Sequence, residues 1–177
     1  MDDLSRRDVL KLGAAATVAA SLSAAEPLVA QAPAAAFFTA AEFAMVDELS
    51  EMIIPTDDHS PGARAAKVAA YIDARLAEAF DAAERTKWRD GLQLVDQLSR
   101  EMNGGKSFSQ SSPDERVAVL TRMAQNERNP QKPEELFFTE LKGRVVHAYY
   151  TTDIGIHKEM DYKGNTYLAE FVGYDVS

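Results

Sequence analysis

The sequence predicts an all-α protein, a single-domain bundle of about five helices with an extended, partner-binding C-terminal tail. Three observations carry that prediction. Apolar residues recur at spacings of three and four in five separate stretches, which is the repeat of one helix face. Helix-start signals precede these stretches, and Pro or Gly closes them. No βα alternation and no internal repeat is found, so a Rossmann nucleotide site is not expected. At 177 residues the chain suits one domain of ordinary size.

The first helix opens on Thr39, with Glu42 three residues on, the pattern of a capping box. Phe38 and Phe43 flank it as a hydrophobic staple. Phe43, Val46, Leu49 and Ile53 share one face, and Pro55 ends the helix. A polar loop, Pro55-Thr56-Asp57-Asp58-His59-Ser60-Pro61-Gly62, comes next. The second helix is expected from about Ala63 to Phe80, with Val68, Ile72, Leu76 and Phe80 in register. Asp81 is placed to cap the third, with Glu84 completing a second box. Trp88, Leu92, Val95, Leu98 and Met102 form its face, and Asn103-Gly104-Gly105 stops it.

Ser112-Pro113-Asp114-Glu115 repeats the start signal. The fourth helix then carries Val117, Leu120 and Met123 or Ala124. A break from Asn129 to Pro133 precedes the fifth, whose face is Phe137, Leu141, Val145 and Ala148. A short helix is expected near Ile154–Met160, and a mostly extended stretch after it.

The N-terminus carries an address. Ser5-Arg6-Arg7-Asp8-Val9-Leu10-Lys11 fits the twin-arginine export pattern, with Val9 where Phe is usual, and Arg6 and Arg7 are its signal residues. The Ala-rich stretch to about Ala25 is too short and weakly apolar for a transmembrane helix. Leu28-Val29-Ala30 suits signal peptidase, and Ala25 is a second candidate. The expected division is therefore a signal peptide over 1–30, a flexible lead-in over 31–38, a helical domain over 39–164 and a tail over 165–177. The expected location is the periplasm, reached in the folded state through the twin-arginine translocon.

Composition narrows the function. The net charge is −9, and an acidic chain repels phosphate backbones, which argues against nucleic acid as a partner. The absence of cysteine excludes disulfides, covalently attached haem, Cys-ligated clusters and a thiol nucleophile. A carboxylate-bridged di-iron site needs Glu-x-x-His. The residues three before His59, His147 and His157 are Thr56, Arg144 and Ile154, so that class fails. No His-Glu-x-x-His zinc motif and no Gly-rich phosphate loop occurs. Asp57, Asp58 and His59 could ligate a metal, although a solvated turn uses the same residues. Neither catalytic nor cofactor-binding nor metal-binding residues are assigned. Tyr149, Tyr150, Tyr162, Tyr167, Phe171 and Tyr174 gather toward the C-terminus, a composition common at protein interfaces.

Two stretches are similar to a known family. Glu48-Leu49-Ser50-Glu51-Met52-Ile53-Ile54-Pro55-Thr56-Asp57-Asp58-His59-Ser60-Pro61-Gly62-Ala63 resembles the opening signature of the gluconate 2-dehydrogenase subunit 3 family, and Tyr71-Ile72-Asp73 fits the family's next segment. The second stretch runs Phe137-Phe138-Thr139-Glu140-Leu141-Lys142, then Tyr149-Tyr150-Thr151-Thr152-Asp153-Ile154-Gly155, then Asp161-Tyr162-Lys163-Gly164. Thr152 and Met160 depart from it where Ser and Leu are common. The resemblance implies a non-catalytic small subunit of an exported sugar or sugar-acid dehydrogenase. Its large subunit would be an FAD-dependent flavoprotein of the glucose–methanol–choline type, and a multihaem cytochrome c would accept the electrons in some assemblies. No cofactor is then expected in this chain. The expected interface comprises Pro55, Asp57, Asp58, Pro61 and Gly62 of the loop with the six C-terminal aromatic residues. Two other readings stay open: a stand-alone exported metal-dependent enzyme using Asp57, Asp58 and His59, and a small helical binding protein for an apolar ligand.

Overall fold

The computed structural model describes residues 37–162 and 164. Among them, five α-helices run in order: α1 (Ala40–Ile53), α2 (Val68–Glu78), α3 (Ala82–Met102), α4 (Pro113–Met123) and α5 (Pro133–Tyr150). A 3-10 turn, Phe108–Gln110, joins α3 to α4, and a π-helical turn, Gly155–Glu159, comes after α5. No strand occurs among the described residues, as the helical periodicity requires. Helix α5 packs against each of the other four helices, which places it at the bundle centre. Consistent with that position, Phe137, Phe138, Leu141, Val145, Ala148 and Tyr149 of α5 are all buried.

Both outer capping boxes form. Thr39 accepts from the Glu42 amide at 3.3 Å while Glu42 takes the Thr39 amide at 2.7 Å. Ser112 and Glu115 repeat the exchange at the head of α4. Each box satisfies amides that an unadorned helix start leaves open. Phe38 sits in the core with its ring 6.0 Å from that of Trp88, and Trp88 stands edge-on to Phe137 at 5.6 Å. Val46 and Leu49 of α1 and Trp88, Leu92, Val95 and Leu98 of α3 fill the centre as their spacing predicts.

Five expectations are corrected. Helix α2 starts at Val68, five residues later than Ala63. The intervening amides close the preceding loop instead: Ala63 donates to the Ile54 carbonyl and Arg64 to Glu51, and Lys67 adopts a left-handed φ of 57° that interrupts a helical path. Phe80 is fully exposed, because α2 stops at Glu78 and the chain turns before it reaches the core. The second residue of the α3 box is absent. Asp81 caps alone through Ala83, and Glu84 pairs with Arg144 of α5, a charged donor that outcompetes a backbone amide. In α4, Val117 is exposed while Val119 and Met123 are buried. Arg116 binds the Phe108 carbonyl at 3.1 Å and Glu48 at 2.9 Å, which sets the helix rotation and turns its neighbour outward. Met102 at the end of α3 also projects to solvent.

Candidate functional site

Residues 55–62 make an irregular loop held by its own polar groups. Asp57 accepts the amides of His59 and Ser60, each at 2.8 Å, and the Asp57 amide returns a bond to the Ser60 carbonyl. Those two amides, Ser60 first, hold the Asp57 carboxyl below its usual range. From α1, Glu51 reaches over to take the Thr56 amide at 3.0 Å, the Thr56 hydroxyl at 2.9 Å and the Arg64 amide at 2.8 Å. Burial alone would raise the Glu51 pKa; these donors and the Arg64 charge outweigh it and hold the carboxyl low. Gly62 lies so close to this anchor that a Cβ would stand 2.5 Å from the Thr56 nitrogen and 2.6 Å from a Glu51 oxygen.

Tyr149 locks the loop to α5. Its phenol donates to the Pro61 carbonyl at 2.7 Å and stands 2.5 Å from the Ser60 hydroxyl. A phenol has one proton, so the serine must be the donor in the second bond. Both groups are buried. Tyr149 is thus a core residue, and Gly62 is buried beside the Glu51 anchor. Neither reaches the surface where a partner would meet it. Pro55, Asp57, Asp58, Tyr150 and Tyr162 are exposed, and Pro61 is half-buried.

The segment after α5 folds back beside the loop. His59 Nε2 donates to the Glu159 carbonyl at 3.1 Å, and His157 Nδ1 to the Tyr162 carbonyl at 2.8 Å. The Glu159 carbonyl, then the Glu159 charge, raise the His59 pKa. Partial burial, then the Glu159 charge, raise that of Tyr150. The loop and the exposed Tyr150, Met160 and Tyr162 therefore form one end of the bundle. Arg6, Arg7, Tyr167, Phe171 and Tyr174 lie outside the described residues.

Elsewhere, too, carboxylates act as backbone staples. Asp73 takes the amides of Phe37 and Phe38, Asp96 that of Phe108, and buried Glu135 those of Gln131 and Lys132. Among the described residues, no three His, Asp or Glu side chains stand close enough to hold a metal ion together, so Asp57, Asp58 and His59 do not form a ligand set. His147 is exposed on α5, its ring 6.4 Å from that of Tyr71. Also among the described residues, no helix is long and apolar enough to cross a membrane.

Sequence reasoning missed an open groove of about 910 Å³ between α1, α3, the 3-10 turn and α4. Met45, Leu92 and Phe108 line it, with the exposed Ala41 and Ala44 on the α1 wall. The available signal was the run of alanines on the solvent side of α1, small residues that permit close approach.

The chain is thus of the class of small helical domains that travel behind an export signal: residues 3–23 match the twin-arginine translocation pathway signal sequence, which addresses it for export. Residues 40–166 match the family model of gluconate 2-dehydrogenase subunit 3, and the chain belongs to that family. It is accordingly a subunit type of a dehydrogenase complex, as the resemblance implied. No curated protein and no solved structure matches it.

Proposed function

We propose that this chain is the non-catalytic small subunit of an exported FAD-dependent sugar or sugar-acid dehydrogenase. It binds a glucose–methanol–choline-type flavoprotein in the cytoplasm, stabilises it, and takes the folded pair through the twin-arginine translocon into the periplasm. Flavin and hydride transfer belong to the partner. A multihaem cytochrome c is the expected electron acceptor where a third subunit is present.

The observation that carries this reading is the family match over residues 40–166 behind an export signal over 3–23. The site geometry supports it. Asp57, Glu51, Asp73 and Glu135 hold backbone amides in place. A stable complex should bury upward of about 2,000 Å², apolar at its centre. The test is to co-express the tagged chain with the flavoprotein and record the absorbance of the purified fraction. Stoichiometric flavin and a second polypeptide are expected. Recovery of the tagged chain alone, beside abundant free flavoprotein, would overturn the reading.

A further inference from the structure

The groove between α1 and α3 carries an unusual charge arrangement. Glu42 pairs with Arg89 at 3.0 Å, Asp47 with Arg64 at 2.6 Å, and Asp96 with Arg100 at 2.6 Å. Glu48 is shared by Arg64 at 2.8 Å and Arg116 at 2.9 Å. Four carboxylates of the groove are thus each paired, with Arg64, Arg100 and Arg116 of the lining and with Arg89 from outside it, in a chain whose net charge is −9. The rim carboxylates are all matched, and the apolar surface of the groove comes from exposed Ala41 and Ala44 and half-buried Met45, set over buried Leu92 and Phe108.

That balance selects the occupant. A charged ligand would find no unmatched opposite charge and would have to open an existing pair, leaving one partner of that pair desolvated. An uncharged apolar segment would leave the pairs intact and displace water from the apolar surface. The wall from Ala41 to Glu48 extends about 10 Å at the helical rise, room for roughly two turns of a helix or a short extended segment. The Gln93 side chain, exposed on the α3 wall, makes no hydrogen bond among the described residues and so offers both donor and acceptor to a polypeptide backbone. Methionine, phenylalanine and arginine around an uncharged centre match the make-up of protein interface cores.

Resting on the small-subunit reading, we propose that this groove seats an apolar, uncharged segment of the flavoprotein. It is a second contact surface, separate from the loop and C-terminal end.

The test uses the co-expressed complex. Ala44→Arg places an unpaired charge in the groove at an exposed helical position that tolerates arginine. Leu136→Arg makes the same change on the exposed side of α5, outside the groove. Flavoprotein capture should fall about tenfold or more with Ala44→Arg and stay unchanged with Leu136→Arg. A photo-crosslinking residue at position 44 should label an apolar, uncharged stretch of the flavoprotein. Undiminished capture by Ala44→Arg, with wild type capturing normally, sinks the groove proposal and leaves the small-subunit reading standing. So does a crosslink to a charged stretch, to a second copy of this chain, or to a copurifying lipid. Failure of wild type to capture the flavoprotein overturns both.

Discussion

One helix, α1, serves two regions that use polar chemistry in opposite ways. Its C-terminal end sends Glu51 into the 55–62 loop, where donors and acceptors are matched along an irregular path that is exposed over residues 55–59 and buried at Ser60 and Gly62. Its N-terminal half lines a groove whose carboxylates are matched in pairs and whose alanines face solvent. The loop carries the family signature yet is held inward by Glu51 and Tyr149. The groove shares only Glu48 with that signature and faces outward. A signature can therefore mark residues that hold a surface in shape as well as residues that form it. The contrast predicts that loop changes cost stability and groove changes cost partner binding.

The largest effect is expected at Gly62. Gly62→Ala drives a Cβ against the Thr56 nitrogen, which is backbone and cannot swing aside. The cost should be about 3 kcal/mol, the upper range for overpacking. Urea unfolding followed by fluorescence of Trp88, the chain's only tryptophan, measures it. Wild-type stability would mean the loop is not closed as described.

Tyr149→Phe keeps the ring and removes the hydroxyl that Ser60 and Pro61 share. The loss should be about 1–3 kcal/mol, because the buried Ser60 hydroxyl and the half-buried Pro61 carbonyl are left with only their long 3.4 Å contact to each other. Restoration of stability by a second change, Ser60→Ala, would sharpen the point, since one orphaned group would then be gone.

Glu51 gives the comparison a pH signature. Its folded pKa lies below the 4.5 of the free group, so its contribution is present above pH 4.5 and fades as pH falls through the folded value. Glu51→Gln should be less stable at neutral pH and show a shallower loss of stability below pH about 4.5. Parallel acid limbs in the two proteins would contradict a charged anchor.

The smallest stability change is expected in the groove. Ala44→Arg should shift unfolding by no more than about 0.5 kcal/mol, as exposed helical substitutions do. A loss of several kcal/mol would erase the distinction between the two regions.

Much of the fold was legible. Apart from Met102 at its end, α3, like α5, buries the residues its spacing selects, because long amphipathic periods leave little freedom of rotation. The Thr39 and Ser112 boxes could be read because every partner lies within one turn. Where a distant group intervened, local reading failed. Glu84 left its box for Arg144, sixty positions away, and Arg116 turned α4 so that Val117 faces solvent. The start of α2 depended on Glu51 drawing in the Arg64 amide. Of the candidate interface, the exposed positions Pro55, Asp58, Tyr150 and Tyr162 were legible as surface. Tyr149 was not legible as a lock, because its two hydrogen-bond partners lie eighty-eight and eighty-nine residues upstream. The groove escaped notice because all its ion pairs but Asp96–Arg100 join residues far apart in the chain, which no single stretch reveals.

The central claim is that the export label on this chain serves a second protein. Cells expressing the flavoprotein with wild-type chain, with Arg6→Lys/Arg7→Lys chain and without the chain should be fractionated and assayed for flavin-dependent dye reduction. The account predicts periplasmic activity with the wild type alone, and flavoprotein retained in the cytoplasm in the other two. Equal periplasmic activity in all three would contradict it.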